Sequence, residues 1–182
     1  MRRNRKGYRR ARWLGIAGLA LLPSFASLGA DNVLFHGALV AEPCVIPPGE
    51  ETLQLDFGTV IDKYLYLNQR TQGQQFELHL TECDLSLGST VRVTFSGNEN
   101  PHLPGLLALD GTSQASGIAI GMETPQGKPL PLNQVGQKYS LAKDNNLIAF
   151  NAYVQGEPEA IANETIERGP FSAVATFSLE YE

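Results

Sequence analysis

The last residues of the chain, GPFSAVATFSLEYE at positions 169–182, have the pattern on which the fold prediction depends. From residue 171 onward its odd positions are apolar or aromatic: Phe171, Ala173, Ala175, Phe177, Leu179 and Tyr181. Most even positions are Ser, Thr or Glu. Because side chains alternate across a β-strand, this pattern predicts a long strand with one apolar and one polar face. Chain termini are usually polar and frayed, so an apolar face that reaches the penultimate residue needs something to cover it.

Similar alternation elsewhere predicts an all-β chain. The segments concerned are residues 52–60, 74–83, 89–97, 117–132 and 146–156. Clusters of Gly, Pro, Asn and Asp separate them, and few segments have apolar residues at helical spacing. About 150 residues follow the N-terminal leader described next, which suits one domain. Short strands separated by such clusters of turn residues predict a β-sandwich.

The first residues predict export. Seven Lys and Arg residues lie within the first twelve positions, and the apolar run WLGIAGLALLPSFA follows at residues 13–26. Pro23 interrupts the run, which is shorter than the roughly 18 residues that favour a membrane span. Residues 1–29 are therefore predicted to be a secretory signal peptide, with no stable membrane insertion. Cleavage before Ala30 is favoured, with Ala26 and Ala30 as rival final residues.

The charge that remains excludes one class of partner. Beyond residue 29 the chain has seven Lys and Arg against nineteen Asp and Glu, a net charge of −12. An acidic protein has no field that attracts phosphate backbones, so nucleic acid is not expected as a partner.

Two cysteines, Cys44 and Cys83, follow the leader. In an oxidising compartment an even pair is most simply one disulfide, which we expect to tie the first strand to the second. A redox role is disfavoured because the chain has no Cys-x-x-Cys sequence. Two cysteines and three scattered histidines also give no metal site.

Catalytic motifs are missing from the sequence. His36, His79 and His102 lie in different local contexts, and His79 falls on the polar face of its predicted strand. No Ser/His/Asp grouping, phosphate-binding glycine loop or identifiable carboxylate pair is present. We therefore expect no catalytic residue, no cofactor and no metal.

The segment after the leader distinguishes an ordinary β-sandwich from a more specific class of protein. In NVLFHGALV, residues 32–40, the side chains of Val33, Phe35, Gly37 and Leu39 share one face at period two. Alone, this pattern predicts an ordinary first strand with a glycine at a bulge. Together with Pro43-Cys44, FELHLTEC, VRVTFSG, LIAFNAYVQG and the final segment, the chain resembles a pilus subunit of the chaperone–usher class. The resemblance is to the minor and tip subunits of P pili and type 1 pili.

The resemblance implies an all-β fold, an incomplete immunoglobulin-like β-sandwich with six strands that lacks the seventh. Residues 30–41 become a donor-strand extension, with Val33, Phe35, Gly37 and Leu39 as its inserting face, and residues 42–182 the pilin domain. The six odd residues of the final segment then line the groove left by the missing strand. A chaperone or the next subunit fills that groove, and basic residues of the chaperone hold the C-terminal carboxylate of Glu182.

The function implied by the resemblance is that of a non-enzymatic structural subunit of an adhesive surface fimbria. The expected partners are a periplasmic pilus chaperone, an outer-membrane usher and neighbouring pilus subunits, met during export through the periplasm to the cell surface. A minor adaptor or tip-fibre position is expected. The alternatives are a major rod subunit, a terminator, a self-contained secreted β-sandwich binding module and, third, an exported enzyme.

Overall fold

A computed structural model describes residues 36, 37 and 39–182 of the chain. The predicted signal peptide and the predicted donor residues Val33 and Phe35 lie outside the described residues. In chain order the elements are α1 (Asp62–Asn68), β1 (Gln74–Cys83), β2 (Thr90–Ser96), β3 (Glu99–Asn100), β4 (Leu103–Leu107), β5 (Ile118–Glu123), β6 (Gln137–Ser140), β7 (Asp144–Gly156), α2 (Pro158–Ala162) and β8 (Thr176–Tyr181).

The strands form two sheets. One has five strands in the order β1-β7-β5-β4-β3, and the other has three in the order β6-β2-β8. Every strand pair in both sheets is antiparallel. The inward side chains of the two sheets meet in a main core, as the alternation in the sequence predicts.

Aromatic side chains fill the centre of this main core. Phe150 of β7 is 1% exposed and packs edge-on against Phe95 of β2, with ring centroids 5.1 Å apart. Phe76 of β1 stacks on Phe150 at 5.4 Å and meets Phe95 edge-on at 6.2 Å. This cluster joins the two sheets, yet Phe76 is only partly buried.

Helix α1 was not predicted from the sequence. Its only buried residue, Leu65, is 1% exposed and belongs to a second, smaller core with Ala115, Ile118 and Val154. Ile61 precedes the helix without a side-chain cap, so the usual N-terminal signal is missing. Tertiary burial of one leucine, rather than local propensity, accounts for this short helix.

Three predicted strands differ from the observed ones. In the predicted strand 52–60, residues 52–58 alternate in burial, but none of the segment pairs with a strand among the described residues. The final strand begins at Thr176, because its partner β2 ends at Ser96, the residue opposite. After β5, only an isolated bridge between Glu123 and Pro129 forms, since prolines in this stretch cannot donate to a ladder.

The predicted disulfide is confirmed. Cys44 and Cys83 are bonded, and both are buried in the main core. Next to the bond, Val45 and Thr81 form an antiparallel bridge with two backbone hydrogen bonds of 2.8 Å. The covalent bond therefore fixes the start of the domain to the end of β1.

Removing this bond should destabilise the domain substantially. It closes 39 residues of chain, for which loop-closure entropy predicts a contribution of about 4 kcal/mol. We expect a Cys44→Ala/Cys83→Ala double variant to lose about that much in urea unfolding followed by circular dichroism. Wild-type protein kept in reducing agent should match the variant. Equal stability of the variant and the oxidised wild type would contradict the prediction.

Candidate functional site: a groove beside the last strand

Strand β8 has one free edge. It lies at the end of the three-stranded sheet and pairs with β2 alone among the described residues. The backbone N–H and C=O groups on its other side have no partner strand in the described part of the chain. Such an edge is a template on which a further strand can pair.

Burial falls abruptly from β2 to β8. The facing pairs on the inner side of this sheet are Val91 with Tyr181, Val93 with Leu179 and Phe95 with Phe177. The three β2 residues are at most 7% exposed, whereas all three β8 residues are only half-buried. Both strands present the same face to the same core, so the difference arises because cover is missing beyond β8.

The same pattern continues upstream of β8. From residue 171 to 182, half-buried and exposed side chains alternate without exception. The half-buried ones all pack against the main core, and they are the residues that were predicted to line the groove: Phe171, Ala173, Ala175, Phe177, Leu179 and Tyr181. Burial raises the pKa of the Tyr181 hydroxyl, in keeping with its partly covered position.

A second segment forms the opposite lip of the opening. Leu53, Leu55 and Phe57 are half-buried, while the residues between them are exposed. Leu55 and Phe57 pack against the same main core as the final segment. The ring of Phe57 lies 6.3 Å from that of Phe171, so the two lips meet at one end. We interpret the partly covered surface of the main core between these two segments as a groove.

Residues 49–54 are also loosely packed against β1. A cavity of about 400 Å³ lies between residues 49–54 and β1, where Leu53 and Phe76 line it. His79 closes part of its wall and lies 2.9 Å from the Glu50 carboxylate and 3.6 Å from that of Glu77. These groups are all well exposed, which fits a solvated surface cluster rather than a catalytic one.

Of the predicted donor residues, the structure describes Gly37 and Leu39, and neither is covered by the domain that follows. Leu39 is fully exposed and Val40 is 71% exposed, so neither packs on the sandwich that follows them. Gly37 is exposed as well. Two large apolar side chains just before the domain are therefore available to another surface.

The C-terminus is held at the end of the groove opposite the Phe57–Phe171 contact. One oxygen of the terminal carboxylate accepts hydrogen bonds from the backbone N–H groups of Ser89 (3.0 Å) and Thr90 (3.1 Å). The side-chain carboxylate of Glu182 accepts from Arg92 at 2.7 Å and from Lys138 at 2.6 Å. These bonds come from the chain's own residues, and a chaperone contact with this carboxylate stays a prediction.

The charges around Glu182 were not predicted. Hydrogen bonds from Lys138 and Arg92 lower the pKa of its side-chain carboxyl. Arg92 lies on the outer face of β2 opposite Glu180, and Lys138 lies opposite Arg92 on β6. Only the register of the three strands brings these charges together, and the sequence does not give that register.

Nothing in the described part of the chain suggests chemistry on a bound group. No set of three His, Cys, Asp or Glu residues there could hold a metal ion. None of the described helices is long and apolar enough to cross a membrane. The groove presents the half-buried apolar side chains of the final segment and the free backbone edge of β8.

Sequence comparison identifies the kind of protein that has this groove. The family described as "Fimbrial protein" matches residues 33–182. The chain is 32% identical to the Fimbria A protein of Serratia marcescens, over 91% of this chain and 92% of that one. It is 31% identical to the Major MR/P fimbria protein of Proteus mirabilis, over 92% and 91%. It is 30% identical to the Fimbrial adapter PapK of Escherichia coli, over 90% and 97%.

Solved structures share the fold. The P pilus rod subunit PapA superposes with a TM-score of 0.67 at 23% identity, over 78% of this chain and all of that one. This likeness confirms the expected pilin fold, an immunoglobulin-like β-sandwich with open sheets.

The ion pairs of Glu182 should make stability depend on pH in the acid range. A carboxyl whose pKa is lower in the folded than in the unfolded state stabilises the fold above its ordinary pKa. That stabilisation is lost as the pH falls through the folded value. We expect Glu182→Gln to lower the melting temperature at pH 7. The difference from wild type should shrink as the pH falls below the ordinary glutamate pKa of about 4.3 and disappear below the lower pKa of the folded state.

A matched control is Glu159→Gln, because the described structure gives the Glu159 side chain no ion pair or hydrogen bond. It should leave the melting temperature unchanged at both pH values. A Glu182→Gln difference that persists undiminished at pH 3 would show that these ion pairs are not its cause.

Proposed function

Because the chain belongs to the fimbrial protein family, we propose that the groove between β8 and residues 52–57 accepts a β-strand from another protein. The chain is a structural subunit of a chaperone–usher fimbria and not an enzyme. Subunits of this class contact neighbouring subunits in a surface pilus. The proposal concerns how this chain makes that contact.

One observation carries the proposal: inward residues of β8 are half-buried where their partners on β2 are buried. An added strand along β8 would cover Phe177, Leu179 and Tyr181 and would bond the free backbone edge. This is β-augmentation between chains. A self-contained binding module would cover β8 with its own chain, and no strand among the described residues does so.

The donor is proposed to be residues 32–39 of another subunit. Its face comprises Val33, Phe35, Gly37 and Leu39, and the exposure of Leu39 supports the idea that this segment serves a different molecule. Burial of each large apolar residue contributes about 1.5–3 kcal/mol. Each new backbone hydrogen bond adds about 1 kcal/mol. Gly37 is proposed to pass where the groove wall comes close to the donor backbone.

Before assembly, the same groove is proposed to be filled by a periplasmic chaperone, with an outer-membrane usher completing the exchange. An uncovered groove leaves apolar surface and an unpaired edge, which promote aggregation. Transit through the periplasm with the groove covered avoids that outcome. The uncovered face beside β8 also argues against a terminator that lacks a usable groove.

Within the fibre we propose a minor position, as an adaptor or a tip-fibre subunit. The similarity to the Fimbrial adapter PapK along nearly its whole length supports this position. A major rod subunit is the second candidate, because the Major MR/P fimbria protein is about equally similar. Immunogold labelling of native fimbriae would separate the two, with label at the tip in the first case and along the shaft in the second.

Charges on the groove face should abolish capture of the subunit by its chaperone. Phe177→Asp/Leu179→Asp buries two carboxylates in the interface, which costs more than the interface gains. We expect periplasmic accumulation and chaperone co-purification to fall at least tenfold. The matched control is Thr176→Asp/Ser178→Asp, which adds the same charges to the exposed face of the same strand. Normal co-purification of the first variant would refute the assignment of this face.

Deletion of residues 32–39 should separate folding from assembly. If this segment serves another molecule, the shortened chain should form its disulfide and co-purify with the chaperone as wild type does. It should still accept a donor strand but fail to insert into the groove of another subunit. If the segment were a core strand of its own domain, the loss would take much of a total stability of about 5–15 kcal/mol. Loss of the chaperone complex would therefore contradict the proposal.

A further inference from the structure

We propose a second contact between successive subunits, formed by opposite ends of the sandwich and made between two copies of this chain where it repeats along the fibre, as a tip-fibre subunit does. One half is the α1 ridge, defined as Ile61, Tyr64 and Leu67. The other half is the 84–88 turn between β1 and β2, with Leu85 and Leu87. This inference rests on the proposed donor-strand exchange and adds to it a surface outside the groove.

The α1 ridge is an exposed apolar face at one end of the groove. Ile61 is 60%, Tyr64 41% and Leu67 84% exposed. Residues three apart are neighbours on a helix surface, so these side chains form one apolar stripe. Ile61 follows Phe57 by four residues, and Phe57 contacts Phe171 where the two lips meet. The ridge therefore borders the groove at its Phe171 end.

The 84–88 turn lies at the other end of the domain. Leu85 is 40% and Leu87 53% exposed. The backbone N–H of Asp84 donates to the carbonyl of Pro43 at 2.8 Å, so the turn sits on the point where the N-terminal extension joins the domain. Strand β1, ten residues or about 33 Å long, separates this turn from α1.

Strand direction brings the two ends together in a fibre. Every pairing in both sheets is antiparallel, and a donor that continues this pattern runs antiparallel to β8. Its first residues then lie near Tyr181, and its last residue, Leu39, leaves the groove near Phe171. The donor's own domain must follow at that end, beside the α1 ridge.

The connecting chain is too short to keep the domains apart. Between Leu39 and Pro43, which is buried in its own domain, lie only Val40, Ala41 and Glu42. Four residue steps span at most about 14 Å. The donor's 84–88 turn is bonded to Pro43 and therefore arrives close to the α1 ridge. A tether this short gives a high effective concentration, so a small apolar contact can form.

Charge complementarity supports a second copy of this chain as the occupant. Lys63 flanks the α1 ridge and is exposed, whereas Arg168 beside it is paired within the chain to Asp62 at 2.6 Å. Lys63 therefore gives the ridge one positive charge that its own chain does not neutralise in the described structure. The 84–88 turn is bordered by acidic side chains that are exposed as well: Glu42, Glu82 and Asp84. Since both halves of a complementary pair occur on one chain, successive copies match each other.

Cysteine cross-linking of full-length mature protein tests the contact. In a Tyr64→Cys/Leu87→Cys variant, the two thiols of one molecule are too far apart to join, so a short bis-maleimide can link only different copies. The native disulfide is buried and will not react. We expect polymers formed on release from the chaperone to give a ladder of covalent multimers after boiling in detergent. Leu67→Cys/Leu85→Cys is an independent second pair.

The control is Tyr64→Cys/Leu147→Cys, in which Leu147 is 57% exposed but lies on β7 opposite His79, within the five-stranded sheet rather than on the 84–88 turn. Its ladder should be at least tenfold weaker. Polymers that form without a ladder in either end-to-end pair, or with equal ladders in the control, would overturn the end contact and leave groove filling intact. Failure of the wild-type chain to polymerise with itself would overturn the choice of a second copy. The assignment of the groove would then depend only on the Phe177→Asp/Leu179→Asp variant and its control.

Discussion

An unpaired strand edge beside an uncovered core is the constraint on which the rest of this structure depends. Water can form hydrogen bonds with the free backbone groups of β8. The half-exposed side chains of Phe177 and Leu179 stay in contact with water until another chain covers them. The fold leaves this gap between two otherwise well-packed sheets. The buried part of the main core, the second core and the disulfide hold the domain together beside this gap, so it keeps its shape around an opening that we propose another chain fills.

Much of the fold follows from period-two alternation. The strands β1, β2 and β7 appear close to their predicted bounds, because each has one face on the main core. Alternation alone cannot identify a partner, and for that reason residues 52–57 alternate without pairing. Helix α1 escaped prediction because one buried leucine in a distant core holds it in place.

The candidate site was predictable in part. The alternation from residue 171 to 182 identified one face of the final segment, since burial on that face follows from side-chain direction alone. The opposite lip and the charges of Arg92 and Lys138 depend on register and on contacts between distant segments. Val33 and Phe35 lie outside the described residues, so their role stays a prediction from the sequence.

The disulfide also determines how mechanical tension enters the domain. A pull on the chain before Pro43 meets the Cys44–Cys83 bond one residue later and passes covalently to the end of β1. Strand β1 is bonded along most of its length to β7, the longest strand of the fold. Load applied at one end of β1 acts along that ladder, so its hydrogen bonds are strained together in shear rather than peeled apart singly. Residues 45–73, between Cys44 and the start of β1, lie outside this route and are shielded from the force.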